Sequence, residues 1–349
     1  MDWDALLAEF RALGGIAENV TLRQGPRGRG LFAADPARPV RLLAPPNLLV
    51  PCEDTEIQDG RLVVKPTSSV GAREREFFNC YQREFSWGAG VFDDLWQAQI
   101  ARNQLPQNVR RALLATWPLK IDALSDPSSE GLCHKEYLRT RKFEYRENSV
   151  LVPIVELVNH GRDAEGFNLV GGVGIAGNFS SEVLAAYGGD CWGTAMNHGF
   201  CEARYCAYAV RGSLRFEDHC IEISRALGQV EQFNGCSLPV VRVEGDTIHF
   251  SFVLLGDERF PHIPRAAFIH VTKNTPLKNP DKLFDLIQHY NRSLMLRFLR
   301  GSEGSETPLV TMLRNAGYQQ LETLSCHWGT GPLEQKTARK SGTRAAELD

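Results

Sequence analysis

Arg139-Thr140-Arg141-Lys142-Phe143 opens the stretch on which the fold turns. A polar turn follows, and then Val150-Leu151-Val152-Pro153-Ile154-Val155-Glu156-Leu157-Val158-Asn159-His160. The apolar run predicts a buried strand that delivers the polar pair Asn159-His160 at its end. An Asn-His pair taken alone caps a turn more often than it binds a ligand. It is also a poor metal site, because the chain has no HExxH and no second close His pair. No metal is expected.

Two further segments flank this one. Upstream, Gly25-Pro26-Arg27 leads into Gly28-Arg29-Gly30-Leu31-Phe32-Ala33, a glycine-rich turn before a strand where backbone can come close to a ligand. Downstream, Ser181-Glu182-Val183-Leu184-Ala185-Ala186-Tyr187-Gly188 ends on a tyrosine at a glycine turn, and Asn197-His198-Gly199-Phe200 follows.

Outward from these segments the chain divides into blocks. Residues 3–13 carry helical apolar spacing and make an N-terminal helix within 1–17. Leu31–Ala33, Leu48–Val50 and Leu62–Val64 read as strands within 18–70. Residues 72–117 turn rich in Arg, Glu, Gln, Phe and Trp, and predict two or three helices in a block spanning 71–129. Short strands resume across 130–204. Strands then helices fill 205–329, with helical spacing at 281–299 and 308–324, and 330–349 is a polar, basic tail expected to be disordered. The class expected is α+β: a β-rich unit of short strands with a helical insert, followed by a mainly helical C-terminal block.

Composition narrows the functions. With 39 basic and 42 acidic side chains the formal charge is −3, which offers no electrostatic reason to expect nucleic acid. Nine scattered cysteines, an acidic start and no apolar run of membrane length predict a reduced, cytoplasmic setting. Cys201 and Cys206 lack the second pair a zinc site requires.

In order, Gly-Arg-Gly-Leu at 28–31, Thr-Arg-x-Phe at 140–143, Asn159-His160 and Val-x-x-x-Tyr-Gly at 183–188 resemble the SET-domain protein methyltransferases. The likeness is to the Rubisco large-subunit methyltransferase branch, which includes the actin-histidine methyltransferase. It covers roughly residues 20–70 and 130–200. The resemblance implies a SET fold split by a helical insert, S-adenosylmethionine as cofactor, and a protein or peptide substrate. It further implies that the backbone at Arg27, Gly28 and Arg29, together with Arg141, Glu156, Asn159, His160, Tyr187 and Phe200, holds the cofactor. Phe143, Tyr187 and His198 would line the acceptor channel, with Tyr187 and His198 at the chemistry. His198 stands where these enzymes carry a second Tyr, and Glu156 where they carry Asp.

The reaction implied is an in-line methyl displacement, which needs alignment and a dry channel rather than a metal. Phe143 favours a lysine acceptor over a histidine, since a ring can line the four-carbon stem. A His198 facing the channel would make activity rise as pH passes ~6.5. Two other readings compete: a catalytically silent SET-like peptide binder, and a nucleotide-binding oxidoreductase that uses Gly172-Val173-Gly174-Ile175-Ala176-Gly177, a formal GxGxxG.

Overall fold

The first helix, α1 (Trp3–Ala12), starts where the Asp2 carboxylate accepts the Ala5 amide at 2.8 Å. Its Leu6, Leu7 and Phe10 are buried on one stripe. That stripe shares a core with β1 (Ile16–Glu18), β2 (Val20–Gly25), β3 (Gly28–Ala33) and β4 (Val40–Ala44), whereas β5 (Val50–Pro51), β6 (Thr55–Gln58) and β7 (Arg61–Val64) pack in a second core. The computed structural model describes residues 1–116, 130–187, 189–224, 232–233 and 236–325. The expected tail from 330, the end of the insert at 117–129 and Gly188 of the tyrosine motif lie outside the described residues.

The helical block is α2 (Ala72–Phe85), a π-type turn at Trp87–Val91, α3 (Phe92–Asn103) and α4 (Gln107–Thr116). A further helix, α5 (Glu130–Arg141), returns the chain to β8 (Phe143–Tyr145) and β9 (Asn148–Leu151). β10 (Asn159–His160), β11 (Val173–Gly177) and β12 (Leu184–Ala185) complete the β-rich unit. Its two halves join across the insert. β9 lies antiparallel between β5 and β8, and β4 lies antiparallel between β1 and β11. β10 runs parallel to β12, with Asn159 opposite Leu184 and His160 opposite Ala185.

After α6 (Cys191–His198) come β13 (Cys206–Tyr208), β14 (Gly212–Phe216), β15 (His219–Ile223), β16 (Gln232–Phe233), β17 (Cys236–Ser237), β18 (Val241–Glu244), β19 (Thr247–Phe250) and β20 (Leu254–Asp257). Three helices close the described chain: α7 (Ile263–Thr272), α8 (Pro280–Gly301) and α9 (Pro308–Ser325). The class is α+β. The insert is not a detached lobe, because Val109, Ala112 and Leu113 of α4 share one core with Trp192 of α6, Phe298 of α8 and Leu313 of α9. No described helix is long and apolar enough to cross a membrane.

Several local expectations are corrected. The apolar run 150–158 is not one strand: β9 ends at Leu151, Pro153 supplies no amide hydrogen for a ladder, and Ile154 takes a positive φ of 68° before a 3-10 turn at Val155–Leu157. Of the expected strand Leu48–Val50, Leu48 ends a 3-10 turn, Pro46–Leu48, started by Pro46, and Val50 begins β5. The glycine run 172–177 contains β11, antiparallel to β4, and the segment that follows it holds the short strand β12. A Cβ at Gly174 would lie 2.2 Å from the Leu42 carbonyl, so close strand packing explains that glycine and the dinucleotide reading has no helix to stand on.

Candidate active site

The β2–β3 hairpin, β10 and the segment before β12 meet at one polar knot. Glu182, 8% exposed, is its centre. One carboxylate oxygen accepts Nδ2 of Asn159 at 2.8 Å, and the other faces Nη1 of Arg27 at 3.2 Å. Asn159 also reaches the Arg29 carbonyl at 3.4 Å. The approach is close because residue 30 is glycine: a Cβ there would stand 2.3 Å from Asn159 Nδ2 and 3.0 Å from the Glu182 carboxylate. The Arg29 side chain turns away and donates to the Phe85 carbonyl at 2.8 Å, tying the hairpin to α2.

This knot borders a cavity of about 610 Å³, a size suited to a cofactor or small ligand. Arg27, Gly28, Arg29, Arg141, Glu156, Asn159, Tyr187, His198 and Phe200 all line it. His160 does not, and its ring sits behind the wall. There His160 stacks on Phe200, with centroids 5.8 Å apart and planes at 23°, and packs against Tyr187 at 5.2 Å. His160 Nδ1 lies 3.0 Å from the Tyr187 amide and 3.1 Å from the Ala185 carbonyl, and Nε2 stands 3.0 Å from the Glu202 carboxylate. Burial, reinforced by nearby Arg204, pulls the His160 pKa down to about 4, so the ring is neutral at physiological pH.

Arg141 is set by a buried carboxylate. The Glu156 side chain is 1% exposed and takes hydroxyl hydrogens from Tyr81 at 2.7 Å, Ser86 at 2.6 Å and Tyr137 at 2.8 Å. Arg141 Nη1 stands 3.9 Å from the same carboxylate and 3.5 Å from the Glu156 carbonyl oxygen, with its guanidinium over the Tyr137 ring. Burial alone would lower the Arg141 pKa, but Glu156 and the surrounding phenols outweigh it and the pKa rises, so the cation is secure. Burial and then the Glu156 charge push the phenols of Tyr81 and Tyr137 well above their ordinary range. Glu156 therefore acts on the cavity through Arg141.

Tyr187 and His198 stand side by side, with ring centroids 5.0 Å apart. The Tyr187 hydroxyl donates to the Val158 carbonyl at 2.5 Å. Burial pushes its pKa up to about 12, against the lowering effect of Arg141. Burial, then Arg139 and Arg204, pull His198 down to about 4. A ring held at about 4 changes no charge at ~6.5, where the pH limb was expected.

A second cavity, of about 410 Å³, is bordered by some of the same residues. Thr140, Arg141, Glu156, Tyr187 and His198 border both cavities and form a common wall. Phe143 lines only the second, where it meets Phe167 edge-on at 4.8 Å and 85°.

Two groups escaped the sequence reading. Glu182 sits one residue before the apolar Val183, and its partners Arg27 and Asn159 come from distant segments. Glu136 of α5 receives Arg102 of α3 at 2.7 Å and Arg139, whose guanidinium also holds Asn197 of α6. Burial alone would raise the Glu136 pKa, but the two arginines lower it. Among the described residues no cluster of His, Cys, Asp or Glu could hold a metal ion.

No family model and no curated protein matches the chain. Among solved structures it is similar to the SET domain of LSMT bound to lysine and AdoHcy, with 13% identity, a TM-score of 0.41, and coverage of 92% of this chain and 89% of that chain.

Proposed function

We propose that the chain is a SET-type, S-adenosylmethionine-dependent methyltransferase that modifies a lysine of a protein or peptide. The observation that carries the reading is the pair of cavities, about 610 Å³ and about 410 Å³, that share one wall. A transferase whose two substrates enter from opposite sides and react through a narrow passage needs such a wall. Gly28, Arg29, Thr140, Arg141, Asn159 and Tyr187 from the ordered motifs border the larger cavity, and Thr140, Arg141, Lys142, Phe143 and Tyr187 border the smaller one.

The residues of the larger cavity fit the cofactor. Arg141 is a secured cation suited to a carboxylate. Asn159 and the backbone at Arg27–Arg29 offer amide and carbonyl groups to an amino acid moiety. Phe200, stacked on neutral His160, offers a ring face to adenine. When bound, the cofactor supplies an electrophilic methyl on a sulfonium centre. The protein supplies position and dryness.

On the acceptor side, Phe143 and Phe167 give apolar walls for a lysine stem. An ammonium ion is penalised in such a channel, which lowers its pKa toward the neutral amine that can attack. His198 is uncharged above pH of about 4 and does not repel the incoming amine. Tyr187, a phenol at pH 7, has its hydrogen committed to Val158, so its oxygen lone pairs are free to accept from an amine N–H. Tyr187 orients and is not the base.

Incubation with methyl-labelled S-adenosylmethionine and a cell lysate, followed by fragmentation mass spectrometry, tests this. Label on lysine is expected. Methyl-histidine would overturn the acceptor, and no cofactor binding by calorimetry would overturn the whole reading. Tyr187→Phe is expected to lower kcat with cofactor affinity nearly unchanged. Equal losses of affinity and thermal stability would instead make Tyr187 a packing residue.

A further inference from the structure

Cys191 is the first residue of α6, and Cys201 follows Phe200 just beyond its end. Their sulfurs lie 3.3 Å apart. Cys191 is 2% exposed and Cys201 half-buried, so an oxidant reaches the second sulfur first. The bracketed segment carries Asn197, His198, Gly199 and Phe200, all of which line the larger cavity. Gln319 of α9 completes the contact, with Oε1 2.8 Å from the Cys191 sulfur.

We propose that Cys191 and Cys201 form a redox modification site at which hydrogen peroxide closes a disulfide and thereby weakens ligand binding in the larger cavity. The sulfurs need only approach from 3.3 Å to the ~2.05 Å of a disulfide. Cys201 is the more exposed of the two sulfurs, which makes it the first nucleophile. Its thiolate attacks one peroxide oxygen, the O–O bond breaks, and hydroxide leaves and takes up a proton as water. The resulting Cys201 sulfenic acid is attacked by the Cys191 sulfur, the S–O bond breaks, and a second water departs. Two thiols lose two protons and two electrons, and one peroxide becomes two waters.

The closure pulls the two ends of the 191–201 segment together and takes the Cys191 sulfur from Gln319. His198 and Phe200 then shift against Tyr187 and His160, to which they now pack at 5.0 and 5.8 Å. The pairing rests on the two sulfur positions alone, whereas its effect on binding rests on the proposed function.

The test treats the full chain with hydrogen peroxide, with and without later dithiothreitol. Peptide mapping reads the link, and calorimetry with S-adenosylhomocysteine reads the site. A Cys191–Cys201 link is expected, with affinity about tenfold weaker and restored by reduction, a factor equal to ~1.4 kcal/mol and of the order of one aromatic contact. Cys201→Ser should bind normally and resist peroxide, and Cys206→Ser should respond like the parent. Cys201 driven to sulfinic acid with Cys191 still reduced, or a link to another cysteine, would overturn the site. A link that leaves affinity unchanged would overturn the coupling. If the reduced protein binds no S-adenosylhomocysteine, the proposed function fails, and amide hydrogen exchange at 198–200 decides the coupling: unchanged exchange on oxidation overturns it.

Discussion

Replacing Glu156 with glutamine changes one oxygen to an amide nitrogen at the centre of a buried cluster. The Glu156 carboxylate accepts from Tyr81, Ser86 and Tyr137, and it is the anion nearest Arg141. Glutamine keeps one acceptor oxygen with two lone pairs, so at least one of the three hydroxyls must find another partner. Tyr137 has one in reach, the Gln82 carbonyl oxygen at 2.9 Å. Among the described residues Tyr81 has no other acceptor, and a buried hydroxyl left unsatisfied costs about 1–3 kcal/mol. Losing the anion 3.9 Å from Arg141 costs about 4 kcal/mol at an effective dielectric of ~20, and roughly half of that after allowance for solvent, since the Arg141 side chain is 24% exposed. The expected loss of unfolding free energy for Glu156→Gln is therefore about 3–5 kcal/mol. Urea unfolding followed by tryptophan fluorescence measures it, with an unchanged dependence on denaturant showing that the two end states are still comparable. A loss below about 0.5 kcal/mol would refute the claim that this carboxylate holds the wall together.

Gly30→Ala should displace Asn159 from Glu182, because the new Cβ would lie 2.3 Å from Asn159 Nδ2; S-adenosylhomocysteine affinity should fall about tenfold or more in calorimetry, with a smaller change in Tm. Unchanged affinity would remove Asn159 from the cofactor site. Stability should fall as pH drops from 6.5 to about 4, because His160 and His198 are neutral in the folded protein down to about 4 while their unfolded counterparts take up protons from 6.5. Urea titrations across that window measure the slope, and His198→Phe should flatten it. A slope equal to that of the parent would show that the His198 ring is not shielded.

Helices with one apolar stripe were legible to within a few residues. The spacing placed α1 at 3–13 against Trp3–Ala12, α8 at 281–299 against Pro280–Gly301, and α9 at 308–324 against Pro308–Ser325. α6 escaped because six consecutive residues from Cys191 to Met196 are buried, so no stripe distinguishes it. α5 escaped for a different reason: it buries Glu136 against Arg102 and Arg139, and a charged residue does not advertise an inward face. The break inside 150–158 was concealed by uniform apolarity, although Pro153 marked the point. At the site, motif order brought most of the named residues to one cavity. It did not supply Glu182, whose bond to Arg27 spans 155 positions and leaves no local pattern to read.

The packing of the insert on the C-terminal helices sets a timetable for synthesis. Asn108 Nδ2 of α4 donates to the Gly301 carbonyl at 2.6 Å, a contact between residues 193 apart. The same meeting is so close that a Cβ at Gly301 would stand 2.9 Å from the Ala112 Cβ. On a ribosome adding 5–20 residues per second, α4 emerges roughly 10–40 s before the surface it needs. For that interval Val109, Ala112 and Leu113 can meet only the α6 part of their core, Trp192 and Met196, without Phe298 and Leu313. A chain stopped before α8 would leave that core incomplete.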